Sequence, residues 1–209
     1  MNIPQNSFQY KNLNPSKNVS FKSEKIYNVP LEMAGRKIAT NFSKIAKEDL
    51  YSIVKKTQEI KVSEYGKTIV RAIVDKVCNK STGTDFYMME KVQKNPFVSD
   101  IKALAYISRA KDVIEVEYIQ TLKDAIGKIK ALGVSLLYGI CREALDTGVK
   151  KIELWAANEG LFEYYERLGF KRVENKPYRY ILERKDFEAF LKNIEDKYYN
   201  GKRFEKLVS

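Results

Sequence analysis

From Arg36 onward apolar residues recur with regular periods, and those periods divide the chain into elements. Lys37 to Ile45 reads as a first strand. Lys47-Glu48-Asp49 puts two acids in the first turn of a helix carrying Leu50, Ile53, Val54 and Thr57 on one face. Val62, Gly66, Ile69, Val70, Ile73 and Val77 mark a second helix, which Ser81-Thr82-Gly83 breaks. Strands are predicted over Asp85 to Val92, Ile101 to Arg109 and Val113 to Thr121, the last two joined as an antiparallel hairpin through Ala110-Lys111-Asp112. Leu132 to Thr147 reads as a helix with Val134, Leu137, Tyr138, Cys141 and Leu145 on one face, ended by Gly148. Lys151 to Ala157 is a buried strand, and Asn158 opens a short helix with Leu161, Tyr164, Tyr165 and Leu168 inward. Phe170 to Val173 and Tyr178 to Leu182 complete the pattern as a strand pair around Pro177. This order is that of a mixed α/β sheet whose helices return to it.

The ends read differently. The first 30 residues hold three prolines, six asparagines and no glycine, with no period of 2 or 3.6. Residues 1–28 are expected to form an extended or disordered arm, with Val19, Phe21, Ile26 and Tyr27 as apolar points able to dock. Residues 29–182 form the domain proper, and 183–209, amphipathic with seven basic and six acidic residues, form a helical extension.

Composition narrows the chemistry. The chain contains no histidine, which excludes a Ser-His-Asp triad, a Cys-His pair, a His-ligated zinc and a His general base. Catalysis must therefore run on carboxylates, tyrosines, lysines, cysteines and backbone dipoles, and no metal site is expected. Thirty-eight basic residues against 27 acidic ones leave +11, a field that attracts polyanions. Cys78 and Cys141 both fall in apolar helical runs and read as buried free thiols of a reducing compartment. No apolar run is long enough to span a membrane, and the N-terminus lacks the apolar core of a signal peptide, so a cytoplasmic location is expected.

Ligands of such sheets bind beyond the carboxyl ends of strands, where strand order splits. Here that is the segment from Ile119-Gln120-Thr121 to the helix start Lys128-Ile129-Lys130-Ala131-Leu132-Gly133-Val134-Ser135. Small residues at 131, 133 and 135 allow close approach to the backbone, and the first-turn amides are unpaired at the positive end of a helix dipole. Lys123, Lys128 and Lys130 flank them, so the place suits a multiply charged anion.

The run Asn158-Glu159-Gly160-Leu161-Phe162-Glu163-Tyr164-Tyr165-Glu166-Arg167-Leu168-Gly169-Phe170 resembles the C-terminal signature of the GNAT superfamily of N-acetyltransferases: Asn, seven residues to Tyr, then Gly-Phe. Lys130-Ala131-Leu132-Gly133-Val134-Ser135 is similar to that family's pyrophosphate loop, written Gln/Arg-x-x-Gly-x-Gly/Ala. The resemblance covers residues 36–182 and is strongest over 130–173. It departs at Lys130, which lacks the bidentate fork of arginine, at Ser135, and in a longer loop after the strand. It implies a mixed, mostly antiparallel central sheet flanked by helices, and acetyl-CoA as cofactor. Backbone groups of Tyr118, Ile119 and Gln120 would pair with the pantetheine amides, with Asn158 nearby. Lys128, Lys130 and the amides of Leu132 to Ser135 would hold the pyrophosphate. Tyr165 would be the general acid toward the departing thiolate, and Glu117, which shares a strand face with Glu115, the general base.

Two functions are carried forward. One is an acetyl-CoA-dependent N-acetyltransferase that moves the acetyl group to a primary amine by direct attack. Its acceptor is a small molecule, a protein or an RNA-linked amine, with the net charge favouring a macromolecule, and homodimer formation is left open. The other is a non-catalytic protein of the same fold that contacts nucleic acid or an acidic partner through its basic surface.

Overall fold

A computed structural model describes residues 23–50, 53, 83–92, 101–122, 128–204 and 206–207. The predicted helix over 62–77, Lys123, Cys78 and the first 22 residues of the arm lie outside them. Among the described residues, eight strands form one sheet in the order β1-β2-β3-β4-β5-β6-β8-β7. They are β1 (Glu24–Met33), β2 (Arg36–Lys44), β3 (Thr84–Lys91), β4 (Ile101–Ala110), β5 (Val113–Thr121), β6 (Lys151–Trp155), β7 (Lys171–Val173) and β8 (Lys176–Glu183). After β5 come the helices α1 (Leu132–Asp146), α2 (Phe162–Arg167) and α3 (Phe187–Tyr199), and a further helix is entered at Lys47, between β2 and β3. Every neighbouring pair is antiparallel except β5 and β6, which run parallel across α1. The sheet is thus mixed and mostly antiparallel.

Strand β1 begins inside the segment expected to be an arm. Residues 24–28 pair with β2, and a register shift between Lys25 and Tyr27 places Ile26 and Tyr27, at 3% and 0% exposure, both inward. A bulge that buries two consecutive residues erases the alternation by which a strand is read from sequence. Pro30 is tolerated because β1 is an edge strand, where a missing N–H breaks no ladder. The tail covers that edge: Lys206 bridges to Tyr27, and the Leu207 amide donates to the Ile26 carbonyl at 2.8 Å.

The sheet buries both faces. On one, Phe86, Met88, Ile101, Leu104 and Leu122 pack with Ile45, Leu50 and Ile53, the last two from the helix entered at Lys47. On the other, Tyr27, Phe42, Tyr87, Ile107, Ile114, Ile152 and Leu182 pack against α1. Helix α1 is buried on more than the one predicted stripe, with Leu136 and Ile140 also enclosed. The reason is α3, whose Phe187, Phe190, Leu191, Ile194 and Tyr199 join the same core. The C-terminal extension is therefore part of the domain core. Pro177 lies within β8, and the β7–β8 turn falls at Glu174-Asn175, with Asn175 in the left-handed region at φ 60°. No helix among the described residues is long and apolar enough to cross a membrane.

Candidate functional site

The site begins with a defect in a ladder. Strands β5 and β6 pair from Val113 with Lys151 to Val116 with Leu154, and stop. At the same point the β4–β5 register slips: Tyr106 faces Tyr118 and Ile107 faces Val116, leaving Glu117 as an extra residue. A bulge bends its strand, and past it β5 stays with β4 while β6 continues only with β8. The two parallel strands splay. Between them opens a cleft of about 540 Å³ whose walls include Glu117, Ile119, Gln120, Trp155, Asn158 and Tyr165. Of the residues singled out from the sequence, Glu117, Ile119, Gln120, Asn158 and Tyr165 meet in this cleft, together with Tyr118.

Tyr165 reaches it from α2, held by the rings of Tyr164, Phe170 and Tyr180 at centroid distances of 5.2, 6.0 and 5.6 Å. Burial pushes its phenol above the ordinary value, so it stays protonated near neutrality. Glu117 is exposed at the cleft and accepts a hydrogen bond from Ser108 Oγ at 2.8 Å. Its presumed companion Glu115 does not line the cleft; it accepts the Trp155 indole N–H at 3.0 Å. Trp155 is half exposed, with the Arg179 guanidinium 5.8 Å from its ring, and forms cleft wall. Asn158 makes no side-chain cap to its helix; its backbone is extended and its carbonyl accepts the Leu161 amide at 3.2 Å. Its side chain is thereby left to the cleft.

A second, smaller hollow of about 320 Å³ lies over the start of α1, lined by Ala131, Leu132, Gly133 and Val134 with Thr121, Tyr164 and Tyr198. Ala131 caps the helix in the left-handed region, at φ 62°, without a side-chain hydrogen bond to the first turn. The first-turn amides of Leu132, Gly133 and Val134 have no intrahelical acceptor, as at any helix start. Ser135 is different from what was expected. Its amide donates to the Ala131 carbonyl at 2.8 Å, and its fully buried hydroxyl donates to the same oxygen at 2.6 Å and pairs with Tyr199 Oη at 2.8 Å. Ser135 thus faces the core, and its amide, expected to be open to an anion, is paired within the helix. A Cβ at Gly133 would meet only Ile119 Cγ2, at 3.8 Å. Chain packing therefore does not require glycine there, which fits a ligand approaching the bare backbone.

The lysines are less convergent than their spacing suggested. Lys128 is exposed, and Lys130 Nζ pairs with Glu32 at 3.0 Å, both side chains largely in solvent. Such a pair contributes little and opens readily. Tyr164, read from the sequence only as an inward residue of its helix, and Tyr198, which the sequence reading does not single out, flank the helix start. Residue 198 belongs to the C-terminal extension, and no local signal relates it to residue 133.

No protein-family model matches the chain, and no curated protein matches it. Solved structures do. The toxin AtaT, as a mutant bound to the C-terminus of the antitoxin AtaR and acetyl-CoA, superposes with a TM-score of 0.54 at 14% identity, over 72% of this chain and 96% of that one. AtaT complexed with acetyl-methionyl-tRNAfMet gives 0.53 at 12% identity, over 72% and 98%. A GNAT-family protein from Desulfovibrio desulfuricans gives 0.50 at 16% identity, over 69% and 99%. At these identities the likeness is one of fold, and the chain has the GNAT fold.

Proposed function

We propose that this chain is an acetyl-CoA-dependent N-acetyltransferase acting on a primary amine. The observation that carries the reading is the splay cleft, which gathers a carboxylate, Glu117, and a protonated phenol, Tyr165, beside the backbone of Ile119 and Gln120. The hollow over the open amides of α1 lies beside it, with Thr121 in both walls. The donor set suits the cofactor: neutral amide-pairing backbone along β5, and a helix N-terminus for phosphate. The AtaT structure holding acetyl-CoA supports the same reading.

Bound acetyl-CoA would supply the thioester carbonyl that an amine attacks. The chain's own residues do the rest. The amides of Leu132, Gly133 and Val134 hold phosphate oxygens, and backbone groups of Tyr118, Ile119 and Gln120 align the arm between phosphate and sulfur. Glu117 accepts a proton from the incoming amine, directly or through water. Tyr165 donates its phenolic hydrogen to the departing sulfur. Because the phenol is a weaker acid than a thiol of ordinary pKa, about 8.5, this is mainly a hydrogen bond to developing charge. For the acceptor, the +11 charge and the likeness to AtaT, whose structure contains acetyl-methionyl-tRNAfMet, support an amine carried by a polyanion.

The test has two stages. Thermal melting with acetyl-CoA at a hundred times its dissociation constant should show about 2.7 kcal/mol of added stability. Thiol release is then followed with aminoacyl-tRNA, lysine peptides, free N-termini and polyamines as acceptors. Absence of any melting shift at millimolar acetyl-CoA overturns the reading in favour of a non-catalytic binding protein.

A further inference from the structure

The hollow over α1 does not end at the phosphate loop. Thr121 joins it to the cleft that holds Tyr165, and through other residues it adjoins a larger cavity, of about 450 Å³, between the β1–β2 hairpin and the end of α3. Ala131 and Tyr198 form the wall common to both. Four lysines surround the larger one: Lys37 from β2, Lys130 from the loop before α1, and Lys197 and Lys202 from the C-terminal segment. Its one acid is Glu32, already bonded to Lys130. Among the described residues, Lys37, Lys197 and Lys202 have no carboxylate partner, and Lys197 Nζ lies 5.3 Å from the centroid of the Tyr198 ring.

The negative end of the α3 dipole points here, which by itself disfavours an anion. The chain offsets it. Asn200 turns into the left-handed region, the Gly201 amide donates to the Glu195 carbonyl at 2.9 Å, and the Lys202 amide donates to the Tyr199 carbonyl at 3.1 Å. With last-turn carbonyls satisfied in this way, the lysines dominate the field of the cavity.

We infer that this cavity recognises the 3′-phosphorylated ribose and adenine of acetyl-CoA, with Lys37, Lys197 and Lys202 on the phosphate and Tyr198 against the base. The inference rests on the acetyltransferase reading. A pyrophosphate held at Leu132 to Val134, with the thioester toward Tyr165, sends the nucleoside the opposite way, past Ala131. A phosphate monoester carries about −1.5 to −2 charges at neutral pH. Flexible ammonium groups meet such a charge as point charges, without fixed geometry. Tyr198 offers an aromatic face of the kind on which bases stack. The C-terminal segment thereby adds a cofactor-selective wall to the fold.

The measurement is calorimetric titration of the full chain with coenzyme A and with 3′-dephospho-coenzyme A. The wild type should bind coenzyme A at least about tenfold more tightly, as expected for one charge-assisted contact set. The Lys197→Gln/Lys202→Gln double variant, whose side chains are exposed and should leave melting unchanged, should lose that preference. Its affinity for dephospho-coenzyme A should stay at the wild-type value. Equal wild-type affinity for the two ligands overturns the inference, as does an equal loss for both in the double variant. If single-stranded RNA binding falls in the double variant while coenzyme A affinity stays constant, the cavity serves nucleic-acid phosphates instead and the inference fails. Failure of the wild type to bind either ligand is a distinct result, and it overturns the acetyltransferase reading itself.

Discussion

Two glycines of α1 make opposite predictions, because they face different things. At Gly133 an added Cβ would touch Ile119 Cγ2 at 3.8 Å, an ordinary contact. At Gly139 it would lie 2.5 Å from two Phe42 ring carbons and 2.7 Å from a third. Phe42 is fully buried and stacked on Tyr87 at 5.1 Å, so it has nowhere to retreat. Gly133→Ala removes a poor helix former at helical φ and gains up to about 1 kcal/mol. For a chain of this size that raises Tm by at most about 2–4 °C. On the proposed reading the same methyl occupies the face by which a phosphate approaches the amides; losing one charge-assisted hydrogen bond costs about 1.5–3 kcal/mol, a ten- to hundredfold weaker Kd for acetyl-CoA. Gly139→Ala has the same propensity gain but an overpacking cost of about 1–3 kcal/mol. It should melt lower and bind acetyl-CoA as the wild type does. Scanning calorimetry of the ligand-free variants and titration with acetyl-CoA read the two effects separately. A Gly133→Ala protein that melts lower and binds normally would refute the argument that this glycine serves a ligand.

Three further outcomes are expected. Tyr165→Phe removes a hydroxyl that makes no hydrogen bond to another described residue, so melting and acetyl-CoA affinity should hold while kcat falls about a hundredfold; normal turnover would reduce Tyr165 to a packing role. Burial tends to raise the carboxyls of Asp85 and Glu153, but hydrogen bonds from Arg109 and Lys44 to the first, and from Arg179 and Lys151 to the second, leave both below their ordinary values. Depressed carboxyls stabilise the fold above the unfolded-state values of 3.8 and 4.5, and that contribution is lost as pH falls through the lower folded values. Denaturant titrations from pH 6 downward should therefore show stability dropping below about pH 4.5, with a shallower drop in Asp85→Asn; an identical slope would remove Asp85 from the account. Burial pushes the Cys141 thiol far above its ordinary 9.0, so a Cys78→Ser protein should react with Ellman's reagent only once denatured. Rapid labelling of the native protein would contradict its burial.

What could be read from the chain alone was whatever a local period encodes. Val113 to Thr121 was bounded at both ends because its β-rich run sits between a tight turn and a loop, and α1 was off by one residue, Thr147. Features that depend on two segments meeting were out of reach. The bulge at Ile26 and the slip at Glu117 both break alternation, and only a partner strand reveals the register they shift. Sequence order puts Glu117 on a strand and Asn158 and Tyr165 on a short helix well after it; the end of β5–β6 pairing after Val116 is what brings them to one cleft. Lys130 read as a phosphate ligand from its neighbours in sequence, yet its ion-pair partner Glu32 is 98 residues away.

The clearest case is Ser135, because it joins two oddities that looked unrelated. A serine stands where the resembled loop has glycine or alanine, and the chain carries a helical extension after its last strand. A serine hydroxyl has one hydrogen. That hydrogen goes to the Ala131 carbonyl, which can only accept, so at 2.8 Å Tyr199 must be the donor to Ser135. Burial pushes the Tyr199 phenol well above its ordinary value, in keeping with a hydroxyl that keeps its proton. The shared Ala131 oxygen also takes the Ser135 amide, and the Lys130 amide is held by Glu32 at 3.0 Å. Ala131 sits in a left-handed conformation that costs roughly 1–2 kcal/mol for a residue with a Cβ, and these bonds on either side are what hold it there. The extension thus supplies, through Tyr199, the partner that makes a buried serine acceptable four residues after the cap residue Ala131. Strain at Ala131, the hydroxyl at 135 and the helix that buries it are one arrangement, and it fixes the shape of the helix start.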